Sequence, residues 1–258
     1  MDIIDAHTHV QFPQFDEDRD EVISRAQEKG IGMIQIGTDI VMSQKAHELA
    51  LQHDMMWATA GIHPHEAASM DEFPRKDMEY LLSQDVVVGI GECGFDFYGM
   101  SQEERDAARE IQQPLFEKQI ELSVAFQKPL VIHTRDAFKE TLSVLEEQGK
   151  KNTLQGIAHF FTGGKEEAQR FIDLGFYFTF GGLITHNRSF DDVIRFIPKE
   201  RVLVETDAPY VTPITKRGKR NEPSFIIETL HALADIYNEP YEMVKERVRA
   251  NTKNIFGI

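Results

Sequence analysis

The stretch VVVGIGE (residues 86–92) is six uncharged residues that end on a glutamate. A strand with one wet face alternates apolar and polar residues. A run this continuous reads instead as a strand buried on both faces, the pattern of a parallel sheet covered by helices. Seven more runs share this character: DIIDAH (2–7), GMIQIG (32–37), MWATAGI (56–62), PLVIHT (129–134), LQGIAHF (154–160), FYFTFG (176–181) and RVLVET (201–206). Helical patterns separate them. RDEVISRAQEKG (19–30) places Gly30 at a C-cap, KEEAQRFIDLG (165–175) closes on Gly175, and the long stretch 103–127 carries Pro114, which predicts a kink or a split there. Eight strand–helix alternations in 258 residues match the size of a TIM-like (β/α)8 barrel. Alternation alone does not prove closure, so a doubly wound open sheet is the alternative. No linker, low-complexity tract or repeat marks a boundary, and residues 1–258 read as a single domain. Two helical stretches near 222–236 and 240–256 follow the last run, the second an extra C-terminal helix expected to cap or flank the barrel.

Composition narrows the function classes. At 41% hydrophobic the chain can bury a sizeable core, and its one cysteine, Cys93, excludes an internal disulfide. The opening residues lack the basic segment, apolar run and small-residue cleavage site of a secretory signal, so none is expected, and no stretch approaches the roughly 18 apolar residues of a membrane span. The expectation is a cytoplasmic protein with no membrane association and no obligate protein partner evident. A net charge of −15 argues against broad coating of DNA, which needs many phosphate contacts, but leaves room for a small positive site.

The informative feature is where the apolar runs end. The first ends in His7 and His9, the third in His63 and His65, the fourth in Glu92, the fifth in His133, the sixth in His159 and the eighth in Asp207. In a barrel these ends converge on one mouth, where active sites sit. A lone histidine at a strand end is ordinarily a hydrogen-bonded histidine. Repetition at the same end of six runs is what makes a metal site the better account, since imidazoles and carboxylates from several strands can surround one or two cations. Alternation puts Asp5, His7 and His9 on one face and Leu203, Glu205 and Asp207 on another. Glu205 would then point inward below Asp207, either orienting a ligand or sitting in a buried ion pair.

Seven segments in order, DAHTHV (5–10), GIHPHEA (61–67), VGIGECGFDFY (88–98), VIHTRDA (131–137), AHFFTGG (158–164), VETDAPYVTP (204–213) and RGKRNEP (217–223), closely resemble the TatD family of metal-dependent hydrolases within the amidohydrolase superfamily. One departure is mild: the family's sixth-strand motif often reads His-Cys-Phe, and here Phe160 follows His159. The resemblance implies a TIM-like barrel with a binuclear centre. His7, His9, Glu92 and Asp207 would hold one ion and Glu92, His133 and His159 the second, with Glu92 bridging. It implies a DNase, often a 3′–5′ exonuclease dependent on Mg²⁺. The imidazoles themselves suit Zn²⁺, Mn²⁺ or Ni²⁺ as bound ions. No lysine stands in VVVGIGECG, so the carbamylated lysine that bridges metals in many amidohydrolase relatives has no counterpart here.

Phosphodiester hydrolysis needs neutralised charge and a nucleophile generated near neutral pH, which two ions about 3.5–4 Å apart provide. Asp207 is the expected base with Glu205 behind it, and His63 the group that binds a non-bridging oxygen or protonates the leaving alkoxide. His65 and Arg135 are expected at the substrate. So are Lys216, Arg217, Lys219 and Arg220 of TKRGKRNEP, because barrel phosphate sites often use the loops after the seventh and eighth strands. Phe95, Phe97 and Tyr98 follow Glu92 and read as core, with base stacking as the other role. The expected substrates are nucleic-acid ends or short single-stranded DNA. Two other readings stand beside this one: an amidohydrolase-type enzyme for a small lactone, amide or ester, and a non-catalytic metal-binding platform.

Overall fold

In the computed structural model, which describes residues 1–258, all seven strand pairings are parallel and follow chain order. The strands are β1 (Ile3–Thr8), β2 (Ile31–Gln35), β3 (Met56–Ala60), β4 (Val87–Asp96), β5 (Leu130–Arg135), β6 (Gly156–Ala158), β7 (Tyr177–Phe180) and β8 (Val202–Val204). Helices follow them: α1 (Arg19–Glu28), α2 (Ile40–Gln52), α3 (Arg75–Leu82), α4 (Gln102–Phe126), α5 (Phe138–Gly149), α6 (Lys165–Asp173), α7 (Asp191–Phe196), α8 (Ile226–Tyr237) and α9 (Tyr241–Phe256). The result is a nearly closed eight-stranded (β/α)8 barrel rather than an open doubly wound sheet. Bonds just past the ends of β8 and β1 hold the seam. Asp207 N–H donates to the His7 carbonyl and His9 N–H to the Ala208 carbonyl, each at 2.9 Å. No helix is long and apolar enough to cross a membrane.

The core has two parts, as strands buried on both faces require. Inside the barrel, Ile4, Ala6, Ile34, Ile36, Val88, Val131, Ile157 and Leu203 form one apolar cluster, with Trp57 and Tyr177 against it. Ile255 and Phe256 from the end of α9 belong to the same cluster. The extra C-terminal helix therefore plugs the floor of the barrel. A larger cluster, rich in Phe and Leu, fills the layer between sheet and helices and takes up Phe95 and Phe97. Apolar burial below leaves the polar ends of the strands at the mouth.

Three sequence expectations change in detail. Helix α4 runs unbroken from Gln102 to Phe126 through Pro114, started by a reciprocal cap between Ser101 and Glu104. Strand β4 extends to Asp96, four residues past the apolar run that announced it. Asp5 does not join His7 and His9: the β1–β2 register shifts between Asp5 and Thr8, and Asp5 instead accepts from the Thr206 backbone N–H at 2.9 Å and from its hydroxyl. Simple alternation fails where a strand carries such an irregularity.

The close approach of β3 and β4 depends on glycine. A Cβ on Gly61 would lie 2.2 Å from the carbonyl carbon of Gly91, the residue before Glu92. Backbone on both sides leaves no side chain to swing away. We expect Gly61→Ala to cost about 2–3 kcal/mol, read as a lower urea midpoint at unchanged slope, and to displace Glu92. An unchanged midpoint would mean that the β3–β4 contact is softer than this packing indicates.

Candidate metal centre

The convergence starts from strand ends. His7 is the penultimate residue of β1 and His9 follows the strand; Glu92 and Asp96 lie in β4; His133 and Arg135 lie in β5; His159 follows β6; Glu205 and Asp207 follow β8. His63 and His65 sit in the turn after β3, where the His63 ring nitrogen Nδ1 accepts from the His65 N–H at 3.2 Å. All except His7 and Glu205 line one cavity of about 740 Å³. Glu205 is fully buried beneath it.

Glu92 is the centre of the arrangement. Its Oε2 lies 3.5 Å from His7 Nε2 and 3.8 Å from His9 Nε2. Its Oε1 lies 2.6 Å from His133 Nδ1, 3.2 Å from His159 Nε2 and 3.7 Å from His63 Nε2. Asp207 Oδ1 completes the first group at 3.6 Å from His7 Nε2 and 3.5 Å from His9 Nε2. Burial opposes charge on Glu92, yet the imidazoles of His159, His133 and His7 hold its carboxyl well below the usual range. Burial likewise lowers His7, while Glu205 and Glu92 together outweigh burial and raise His159 well above the ordinary imidazole value. His63 is pushed down to about 3, mainly by burial, so it is neutral at physiological pH.

The hydrogen bonds test whether this set suits a cation. His9 Nδ1 lies 3.0 Å from the Ile36 carbonyl, which can only accept, so Nδ1 carries the proton and Nε2 presents a lone pair. That lone pair faces His7 Nε2 at 3.1 Å and the two carboxylates. His159 Nδ1 is paired with Glu205 Oε2 at 3.2 Å and its Nε2 with Glu92 Oε1 at 3.2 Å, so without a cation the ring is held protonated between two carboxylates, and a bound ion would take the place of that proton. The His9 acceptor thus faces carboxylate acceptors, and a positive charge between them resolves the conflict. A tetrahedral cation with ligands at about 2.0–2.2 Å holds them roughly 3.3–3.6 Å apart, close to the spacing around His7, His9, Glu92 and Asp207. The residues present therefore fit a metal ion, with Glu205 and the Ile36 carbonyl fixing the rings from behind.

Around this core the structure adds a residue the sequence reading missed. Asp96 Oδ2 lies 3.0 Å from His133 Nε2 and 3.1 Å from His65 Nε2. It shares the parity of Glu92 two pleats on, and the alternation of ECGFDF, with Cys93, Phe95 and Phe97 facing the outer core, was the available signal. Thr38, Phe12 and Tyr210 also line the cavity, and Phe12 stacks on His9 with centroids 4.4 Å apart.

The basic loop behaves otherwise than expected. None of Lys216, Arg217, Lys219 and Arg220 lines the cavity, and Arg135 is its one Lys or Arg. Arg220 makes a two-pronged pair with Asp18 at 2.9 and 2.7 Å and bonds the Gln14 carbonyl, so it clamps the loop after β8 onto the loop after β1. Lys216 pairs with Glu228 at 3.4 Å, and Lys219 borders a separate depression beside Asp18, Arg25 and Glu222. For Lys216 and Arg220 the physical reason is the chain's acidity: carboxylates on neighbouring elements capture them before a ligand can.

Comparison with known proteins agrees with this geometry. The family model for TatD related DNase matches residues 4–257. A 3′-5′ ssDNA/RNA exonuclease TatD of Citrobacter koseri is 35% identical, the match covering 99% of each chain. An uncharacterized metal-dependent hydrolase of Bacillus subtilis, YabD, is 34% identical with the same coverage. Among solved structures, the TatD homologue YjjV of Escherichia coli superposes with a TM-score of 0.89 at 26% identity, covering 99% of this chain and 98% of that one. The chain belongs to the TatD family of metal-dependent hydrolases, enzymes acting on ester bonds.

Proposed function

We propose that the protein is a 3′–5′ exonuclease that hydrolyses phosphodiester bonds at the ends of single-stranded nucleic acid, using two divalent cations on either side of Glu92. The observation that carries this reading is the division of the Glu92 carboxylate: one oxygen faces His7 and His9, the other His133 and His159. A bridging carboxylate needs this disposition. The relatives named as 3′-5′ ssDNA/RNA exonucleases, matched over nearly the whole chain, support the substrate class.

Divalent cations held by His7, His9, Glu92, Asp207, His133 and His159 would supply charge neutralisation for the phosphate and a lowered pKa for the attacking water. The chain's own residues do the rest. Asp207 closes the first donor set and retains a partly exposed carboxylate at 16%, so it can take the proton of an attacking water. Glu205 fixes the His159 ring and keeps its Nε2 turned inward. His63, neutral and with Nδ1 occupied by the His65 N–H, carries its proton on Nε2 and donates a hydrogen bond from it to a phosphate oxygen; as a neutral imidazole it is too weak an acid to protonate the leaving alkoxide. Arg135 is the cation that meets the substrate at the cavity wall. Lys216, Arg217, Lys219 and Arg220 have no direct phosphate contact in this mechanism.

A direct test uses metal-stripped protein with 5′-labelled and 3′-labelled single-stranded oligonucleotides, with Mg²⁺, Mn²⁺ and Zn²⁺ restored one at a time. The expected result is release of mononucleotides from the 3′ end, reduced at least about 100-fold in Asp207→Asn. Shortening from the 5′ end would overturn the polarity, and no cleavage with any metal would overturn the activity.

Metal content is a second and independent check. Elemental analysis of the purified wild type should give about two ions per chain, and Glu92→Gln should lose about one ion, because an amide leaves one uncharged carbonyl donor where the carboxylate offered two charged oxygens. A variant that keeps its full complement would remove Glu92 from the bridging position.

A further inference from the structure

Arg135 is unusual among the basic residues of this chain. It lines the cavity, is exposed and has no carboxylate partner, since the adjacent Asp136 lies toward Arg105 at 3.9 Å. Its guanidinium carbon lies 3.5 Å from the centroid of the Tyr98 ring, and Tyr98 is itself 61% exposed. Arg135 lines the cavity and Tyr98 does not. One face of the cation is covered by an aromatic ring, and the other is free.

Resting on the nuclease reading above, we propose that Arg135, backed by Tyr98, is a stacking platform for an unpaired nucleobase next to the scissile phosphate. A planar guanidinium sandwiched on one side by an aromatic ring offers its other face to a second flat π surface, and every nucleobase has one. The platform is built on the sheet. Asp96 and Arg135 are paired residues of β4 and β5, and the Phe97 N–H donates to the Arg135 carbonyl at 2.9 Å. The Tyr98 N–H donates at 2.9 Å to Asp96 Oδ1, while the other oxygen of the same carboxylate meets His133. Arg135 lies two residues beyond His133, about 6.6 Å along a strand. Tyr98 and Arg135 are thereby registered against the donor set through Asp96, and a base seated there places its phosphate toward Glu92. A duplex end cannot use the platform without unpairing its base, so the same feature selects single strands.

The test uses metal-loaded enzyme and 5′-labelled single-stranded oligonucleotides whose last two 3′ nucleotides carry adenine or are abasic tetrahydrofuran residues. Wild type is expected to favour the adenine substrate about tenfold in kcat/KM, with the difference in KM. Arg135→Lys keeps the charge and loses the plane, and Tyr98→Ala loses the backing ring. Both should bring the adenine-to-abasic ratio to within about twofold of unity, while Tyr98→Phe keeps the preference. Equal use of the two substrates by wild type overturns the platform and leaves the nuclease reading intact. So does a preference that survives in both Arg135→Lys and Tyr98→Ala. Failure of wild type to cleave either substrate with any of Mg²⁺, Mn²⁺ or Zn²⁺ overturns both.

Discussion

Glu92 is a buried carboxylate whose charge is met by imidazoles alone. His7, His9, His133, His159 and His63 approach it from β1, β5, β6 and the turn after β3, and no lysine or arginine pairs with it. Burying such a charge is costly unless it is paired or coordinates a cation. His9 Nε2 presents a lone pair, because Nδ1 is committed to the Ile36 carbonyl, whereas His159 is held protonated between Glu205 and Glu92. The site therefore sets carboxylates against one another and against the His9 lone pair, and a bound cation takes the place of the protons that relieve this opposition.

What holds the acceptors together is barrel closure. Asp207 reaches the first donor set because its backbone N–H bonds the His7 carbonyl across the seam between the last and first strands, and the His9 N–H bonds back to Ala208. The seam and the site are thus built from the same residues. Below them, the apolar floor made by all eight strands and closed by Ile255 and Phe256 excludes water from the stems of the ligating residues. The last residues of the chain, far from the mouth, thereby serve the chemistry by keeping the site's underside dry.

The rim follows a different logic. A chain this acidic supplies partners for most of its surface cations, and it does so at Arg220 through Asp18 and at Lys216 through Glu228. Arg220 does structural work, tying together the loops after β1 and β8 and so steadying Phe12 against His9. The cation that lines the cavity is Arg135, which has no carboxylate partner and packs on the Tyr98 ring.

Continuous apolar runs ending in histidine or carboxylate were legible because burial on both faces and convergence at one mouth are local consequences of a parallel barrel. That reading reached the eight strands and the helix that seals the floor, and it named histidines and carboxylates that the fold brings to one cavity. It missed Asp96, because the β4 run appeared to stop at Glu92, and it misplaced Asp5, because a register shift in β1 breaks the alternation between Asp5 and Thr8. It sent the basic loop to the substrate, because net charge and position along the chain do not say which carboxylate lies across a gap. The sequence by itself determined the residue types and the end of each strand at which they stand, since periodicity and hydrophobicity act between neighbours in the chain. Only the tertiary structure decided which oxygen of Glu92 faces which imidazole, which ring nitrogen keeps its proton and which arginine stays free, because each of these depends on contacts between residues tens to hundreds of positions apart.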